Sequence, residues 1–342
     1  MVCRNYSNIF IITIGTQLNE QFIPIYANLL EIISSIINLS NKPVSIFLRS
    51  TIEPGTSKII SNHINKLGKE IGKDVFYAYC PERILEGKAF EELGKIPQII
   101  GAFDDISIKI ASNLFSEVLG VRCIIGKPIE AEYAKIFNNM YRYINFALAN
   151  EFMCLAEKNY ASMKKVLEMC NTEYPRSCLS NPGYASGPCL FKDGFFLTNE
   201  LPFIELVHTS WKINESLPHY ILTEVEKIRT MKNVTILGLS FKEGSDDIRN
   251  SLGIKMLNLL KNRGLNVTIH DPFVKYLDKT EELKTAIQDA TELFVMVPHK
   301  EYKELSKNTL TTLSQEDLLV VDPWYIWNDN LFTLLNPTRH KI

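Results

Sequence analysis

Long apolar runs, paired cysteines and an excess of one charge are all missing from this sequence. Its apolar stretches are short, such as residues 9–12 and 32–37, the latter with two serines inside. Neither approaches the roughly 18 residues that span a bilayer, so no membrane partner is expected. Lys and Arg number 37 against 39 Asp and Glu, a formal net charge of −2. That balance excludes nucleic-acid binding by bulk electrostatics. The 7 cysteines are scattered, with no C-x-x-C pair. This speaks against a disulfide framework or a zinc site and for a reducing cytoplasm. The opening Met-Val-Cys-Arg-Asn-Tyr-Ser lacks the charged, apolar, small order of a signal peptide. Short repeats and low-complexity tracts are absent too. What remains is 342 residues, 46% apolar and 22% charged, enough for two or three globular domains and too apolar for disorder.

The pattern predicts two α/β lobes joined by a helical middle. Strands are expected at 8–14, 44–48, 75–79 and 122–125, with helices at 24–37, 56–67 and 106–119. Such alternation gives a parallel sheet with helices on its faces. Residues 129–158 read as one long helix, with Ile136, Phe137, Met140, Ile144, Ala147, Leu148, Phe152 and Leu155 at helical spacing. A helix of about 45 Å usually carries an interface as well as a core. An irregular loop spans 181–189. A second lobe follows, with strands at 233–238, 266–270, 293–297 and 318–321 and a helix at 252–263. The expected domains are 1–126, a partial Rossmann-like lobe; 127–215, a helical middle; and 216–342, a second Rossmann-like lobe.

Chemistry-bearing residues fall at the turns. Cys189 sits in a Gly/Pro loop four residues before Asp193, where a nearby Lys135 or Lys192 would favour the thiolate. On local sequence alone, a small apolar core residue is the preferred reading of such a cysteine. Lys135, Asn139 and Arg142 share one helical stripe. It is either an oxyanion-holding face or a solvated one. Glu82 and Glu86 lie in the loop after the third strand, while Gly15-Thr16 and Ser50-Thr51 end the two before it. The carboxyl edge of a parallel sheet is where ligands bind. Gly238 to Lys242, with Asp246 to Arg249, opens the second lobe and suits a phosphate at a helix start or plain turn chemistry.

Each motif is short, but their order is specific. Residues 12–16, Ser50-Thr51 with Pro54-Gly55, Pro81-Glu82-Arg83 through Glu86-Gly87, and Glu132 through Lys135 to Asn139 come first. Asn150-Glu151, residues 187–193, Gly238 through Lys242, Asp247 to Arg249 with Ser251, and Asp271-Pro272 follow. In that order, across nearly the whole chain, the sequence resembles the nucleotide-sugar 6-dehydrogenase family, the UDP-glucose/GDP-mannose dehydrogenases. The resemblance implies NAD-dependent oxidation of a sugar's C6 alcohol to a carboxylate, in the service of polysaccharide biosynthesis. It implies that Cys189 forms a thiohemiacetal and then a thioester. By the same likeness Lys135 and Asn139 hold the oxyanion, and Asp193 is the acid/base partner. Thr51 and Glu86 would hold the water, with Glu82 beside them. Thr16, Thr51, Glu86 and Arg249 would meet the cofactor. Glu82, Asn181, Gly187 and Lys242 would meet the nucleotide sugar. The long helix would be the core of a homodimer.

The sequence departs from the family in one large respect. No G-x-G-x-x-G occurs anywhere in it. Its first strand resembles the family's fourth, so the βαβ unit with the pyrophosphate turn is unmatched. Gln17 stands where the family commonly has proline. An alternative expectation follows: a catalytically inactive fragment, or a nucleotide-sugar-binding remnant. A hydroxyacid dehydrogenase of similar build is disfavoured, because it needs no thiol at Cys189.

Overall fold

A computed structural model describes residues 7–21, 23–85, 87–176, 178–197, 203–275, 281–314 and 317–335. The chain divides into two units, Met1–Met140 with Lys192–Ile204, and Tyr141–Phe191 with Glu205–Ile342.

The first unit runs β1 (Ile9–Ile12), β2 (Gln17–Leu18), β3 (Pro24–Ile25), α1 (Ala27–Asn38), β4 (Val44–Leu48) and α2 (Thr56–Lys66). It continues with β5 (Val75–Tyr79), α3 (Ala89–Glu92), β6 (Gln98–Ala102), α4 (Asp105–Leu119) and β7 (Cys123–Gly126). The sheet order is β1-β4-β5-β6-β7, and β1, β4 and β5 are parallel. β4 is buried along its whole length, as a central parallel strand should be. α1 covers it with Leu29, Ile33 and Ile37, one turn apart. Each such side chain contributes about 1.5–3 kcal/mol by burial.

Two details differ from the sequence pattern. Pro24 and Ile25 do not open a helix. They pair antiparallel with Leu18 and Gln17, and Asn19 closes the turn by accepting the Gln21 and Ile23 N–H groups. β6 is unforeseen, and it runs antiparallel to β5. The described residues between them hold only the four-residue α3, too little helix to carry the chain back for a parallel neighbour. β1 has β4 on one side and is the edge of the sheet among the described residues.

The helix α5 (Pro128–Lys158) follows as one element. Its apolar positions do not form a single core face. Ile136, Met140 and Ala147 are buried, whereas Phe137, Tyr141, Leu148, Phe152 and Leu155 are exposed. After it come α6 (Met163–Asn171), α7 (Leu190–Asp193), α8 (Glu205–Ile228), β8 (Val234–Leu237), α9 (Leu252–Asn262) and β9 (Val267–His270). The chain closes with α10 (Leu283–Gln288), β10 (Glu292–Val295), α11 (Lys300–Glu304), α12 (Lys307–Leu313), β11 (Leu318–Val321) and β12 (Phe332–Leu335). The second sheet is ordered β12-β11-β10-β8-β9, parallel except for the edge strand β12. Ser251 caps α9 by accepting the Gly253 N–H at 3.0 Å. Leu252, Met256, Leu257 and Leu260 then bury that helix in the core of the second unit.

Candidate active site

The first unit gathers four of the expected side chains. Asp193, wholly buried at the end of α7, accepts a hydrogen bond from Asn139 Nδ2 at 2.7 Å. Lys192 Nζ stands 3.6 Å from its other oxygen. Burial pushes the Asp193 carboxyl above the ordinary carboxylate range, against the pull of Lys192, Asn139 and Lys135. One turn before Asn139, Lys135 donates to the Glu82 carbonyl at 2.7 Å. The spacing of four thus places a cation and an amide on one face of α5, as expected. The face is not a solvated one: Asn139 is buried and Lys135 half-buried, and only Arg142 is exposed.

Glu82 is held as well as holding. Its carboxylate pairs with Arg49 and accepts the Arg83 and Ile84 N–H groups at 2.7 and 2.8 Å. Burial alone would raise its pKa, but the Ile84 and Arg83 amides and the Arg49 guanidinium hold it below the usual value. Arg49 also donates to Gln98 on β6 at 3.0 Å, and Gln98 donates to the Pro81 carbonyl. Sequence reasoning passed over Arg49 and Gln98. The one available signal was a cation directly after the buried strand β4. Glu86 lies outside the described residues.

Thr16 donates to the Thr51 carbonyl at 2.5 Å, tying together the carboxyl ends of β1 and β4. Ser50, beside them, has a buried hydroxyl with no hydrogen-bond partner. A cleft there is lined by Gly15, Thr16, Tyr26 and Ser50. The orphaned Ser50 hydroxyl is a group that a polar ligand at this edge would satisfy. Glu132, also fully buried, accepts the Gly55 and Ser57 N–H groups at 2.6 and 2.7 Å and so fixes the start of α2.

The second unit holds the thiol and the loop that delivers it. Cys189 is exposed and free of any disulfide. Residues 182–187 are buried, whereas Asn181 is exposed. Gly183 exchanges two hydrogen bonds with the Asn150 side chain, at 2.8 and 3.0 Å. A Cβ on Gly183 would stand 2.2 Å from the Trp324 ring, and its φ of +146° suits glycine. Gly187, at φ +105°, presses on the Phe241 ring in the same way. Ser186 donates to the Phe241 carbonyl at 3.0 Å. The cysteine loop is thereby seated on the turn that carries Lys242. Arg249 is drawn onto Asp247 by a forked pair of contacts, and it keeps the Asp247 carboxyl below its ordinary value.

Three models of one protein family match the chain in order. The NAD binding domain of the UDP-glucose/GDP-mannose dehydrogenase family matches residues 4–119. Its central domain matches 129–216 and its UDP binding domain 235–329. A UDP-N-acetyl-D-mannosamine dehydrogenase of Pyrococcus horikoshii is 28% identical over 324 residues, 92% of this chain and 77% of that protein. An NDP-N-acetyl-D-galactosaminuronic acid dehydrogenase of Ralstonia solanacearum is 28% identical over 276 residues, 77% of this chain and 63% of that protein. The solved UDP-N-acetyl-mannosamine dehydrogenase of Staphylococcus aureus superposes with a TM-score of 0.81 at 28% identity, covering 95% of this chain and 81% of that one.

Proposed function

Since the chain belongs to the UDP-glucose/GDP-mannose dehydrogenase family, an NAD-dependent family of nucleotide-sugar dehydrogenases, we propose that it oxidises the C6 alcohol of a UDP-N-acetylhexosamine to the carboxylate. The sugar class is suggested by relatives named UDP-N-acetyl-D-mannosamine dehydrogenase. The observation that carries the reading is the buried Asp193–Asn139 pair with Lys135 one turn away.

NAD⁺, which Thr16, Thr51, Glu86 and Arg249 would hold, would supply the hydride acceptor for each of the two oxidations at C6. The protein's own part is to hold and activate the carbon. The Cys189 sulfur adds to the C6 aldehyde and forms a C–S bond, giving a thiohemiacetal. Loss of its hydride leaves a thioester. Water then breaks the C–S bond, returning the thiol and releasing the acid. Each addition places negative charge on the C6 oxygen. The Lys135 ammonium and the second Asn139 amide hydrogen are suited to that oxygen. Asp193 is suited to take up and return the proton, since burial makes it more basic than an ordinary carboxylate. Thr51 and Glu86 are assigned to the water and, with Thr16 and Arg249, to the cofactor, and Glu82, Asn181, Gly187 and Lys242 to the nucleotide sugar.

The domain division 1–126, 127–215 and 216–342 is part of this reading. So is a homodimer through α5, supported by the exposed row of Phe137, Tyr141, Leu148, Phe152 and Leu155. A catalytic thiol needs reducing surroundings, so we place the enzyme in the cytoplasm. No helix among the described residues is long and apolar enough to cross a membrane. The test is a panel of nucleotide sugars with NAD⁺. UDP-N-acetylmannosamine should give the highest kcat/KM, ahead of UDP-glucose and GDP-mannose. A GDP-mannose preference would overturn the sugar assignment.

A further inference from the structure

Three strand ends in the second unit converge on one side chain that the reaction does not otherwise use. β8 lies between β10 and β9. The turn after β8 carries Ser240, Phe241 and Lys242. Asp271 follows β9, and His299 stands just beyond β10. The strands that precede them flank β8 on opposite sides. Asp271 accepts the Leu239 and Ser240 N–H groups at 2.7 and 3.1 Å, and the Phe273 and Val274 N–H groups at 2.8 and 2.9 Å. His299 is 0% exposed. Its Nε2 lies 3.2 Å from Ser240 Oγ and 3.3 Å from Asp271 Oδ2, and its Nδ1 accepts the Gly244 N–H at 3.3 Å.

These partners fix the form of the ring. Gly244 offers only a hydrogen, so Nδ1 must be the acceptor. Asp271 offers only a lone pair, so Nε2 must carry the hydrogen. The Ser240 hydroxyl spends its own hydrogen on the Lys242 carbonyl at 2.9 Å and is left to accept from Nε2. A neutral imidazole with its hydrogen on Nε2 satisfies all three contacts. Phe273 and Tyr302 wall the ring on other sides, with centroids at 5.3 and 5.5 Å. His299 thus grips the turn at Ser240 and Gly244, on either side of Lys242. The same turn bears Phe241, on which the Gly187 loop rests.

We propose that His299 is a positioning residue: it sets the Ser240–Gly244 turn, and through it the place of Lys242 on the nucleotide sugar. This rests on the reading of Lys242 as a sugar-nucleotide contact. The test is calorimetric titration of the full chain with UDP-N-acetylmannosamine, for the wild type, His299→Ala, Lys242→Ala and the double variant. Lys242→Ala should weaken binding about tenfold to a hundredfold, as loss of a charge-assisted hydrogen bond does. His299→Ala should also weaken it, yet add less than about threefold on top of Lys242→Ala. His299→Asn keeps an acceptor near Gly244 and should bind more tightly than His299→Ala. Where His299→Ala does not fold, Ser240→Ala replaces it with the same expectation. Should Lys242→Ala weaken binding while His299→Ala does not, or should the two losses multiply, His299 is overturned and Lys242 stands. An unchanged affinity in Lys242→Ala overturns the reading beneath, and the inference with it.

Discussion

Gly187→Ala is a small change aimed at the seat of the cysteine loop. The new Cβ would lie 2.4, 2.8 and 2.9 Å from three atoms of the Phe241 ring, about 1 Å inside ordinary contact at the closest. The ring has little room to yield. Its backbone N–H is held by the Asp247 carbonyl at 2.9 Å, and its carbonyl by Ser186. Overpacking of this kind costs about 1–3 kcal/mol. The φ of +105° adds backbone strain for any residue with a Cβ, a further cost of about 1–3 kcal/mol. Alanine returns about 0.4–1 kcal/mol by restricting the unfolded chain, which leaves a net loss of about 2–5 kcal/mol. Urea unfolding of the variant measures it. Pairing the change with Phe241→Ala should recover the steric part and leave the backbone part, a coupling of about 1–3 kcal/mol. Cys189 is two residues on, so kcat should fall more than affinity does. A Gly187→Ala loss below about 0.5 kcal/mol, or strict additivity with Phe241→Ala, would refute the reasoning.

Asn139→Ala removes the donor to a buried carboxylate and should cost about 1–3 kcal/mol of stability, with a drop in kcat; an unchanged melting temperature would contradict that. Asp193 has a raised folded-state pKa, so folding favours its protonated form. Its stability contribution is fullest below the unfolded carboxylate range and is lost as pH rises through the folded value. Asp193→Asn should therefore be the more stable protein at neutral pH while losing activity, and equal stability across pH would count against the burial argument. Asp271 runs the other way: despite burial, which would raise it, His299 and the backbone amides lower its pKa from 3.8 to about 2. It contributes about 2 kcal/mol above pH 4, lost as pH falls toward 2, and Asp271→Asn should flatten that acid limb in a urea series. Phe152→Glu on α5 should reduce the mass seen by light scattering from dimer to monomer; a monomeric parent would remove the dimer.

Local pattern carried much of the fold. The buried runs at β4 and β5 and the spacing along α1 and α5 can be read because their cause lies within each segment. β6 and β12 were not legible. Both are four- or five-residue strands whose direction is set by what they pair with. The same divide holds in the site. Lys135 and Asn139 sit four residues apart and Asp193 four after Cys189, and the motif order made them visible. Arg49, Gln98 and His299 act across strand ends that only the sheet brings together, and Asp271, visible in the motif order, finds its partners there too. The apolar stripe of α5 read as one face, yet it splits into buried and exposed rows. Periodicity counts apolar residues without saying which row meets a neighbour.

The central claim, a two-step oxidation through Cys189, is tested most directly by counting. The protein is incubated with UDP-N-acetylmannosamine and NAD⁺, and NADH and sugar carboxylate are quantified for the wild type and for Cys189→Ser. Two NADH for every carboxylate in the wild type, with acid formation nearly abolished in Cys189→Ser while sugar binding persists, is the expected result. Sugar binding without NADH formation would point to the remnant reading, and undiminished acid from Cys189→Ser would contradict the mechanism.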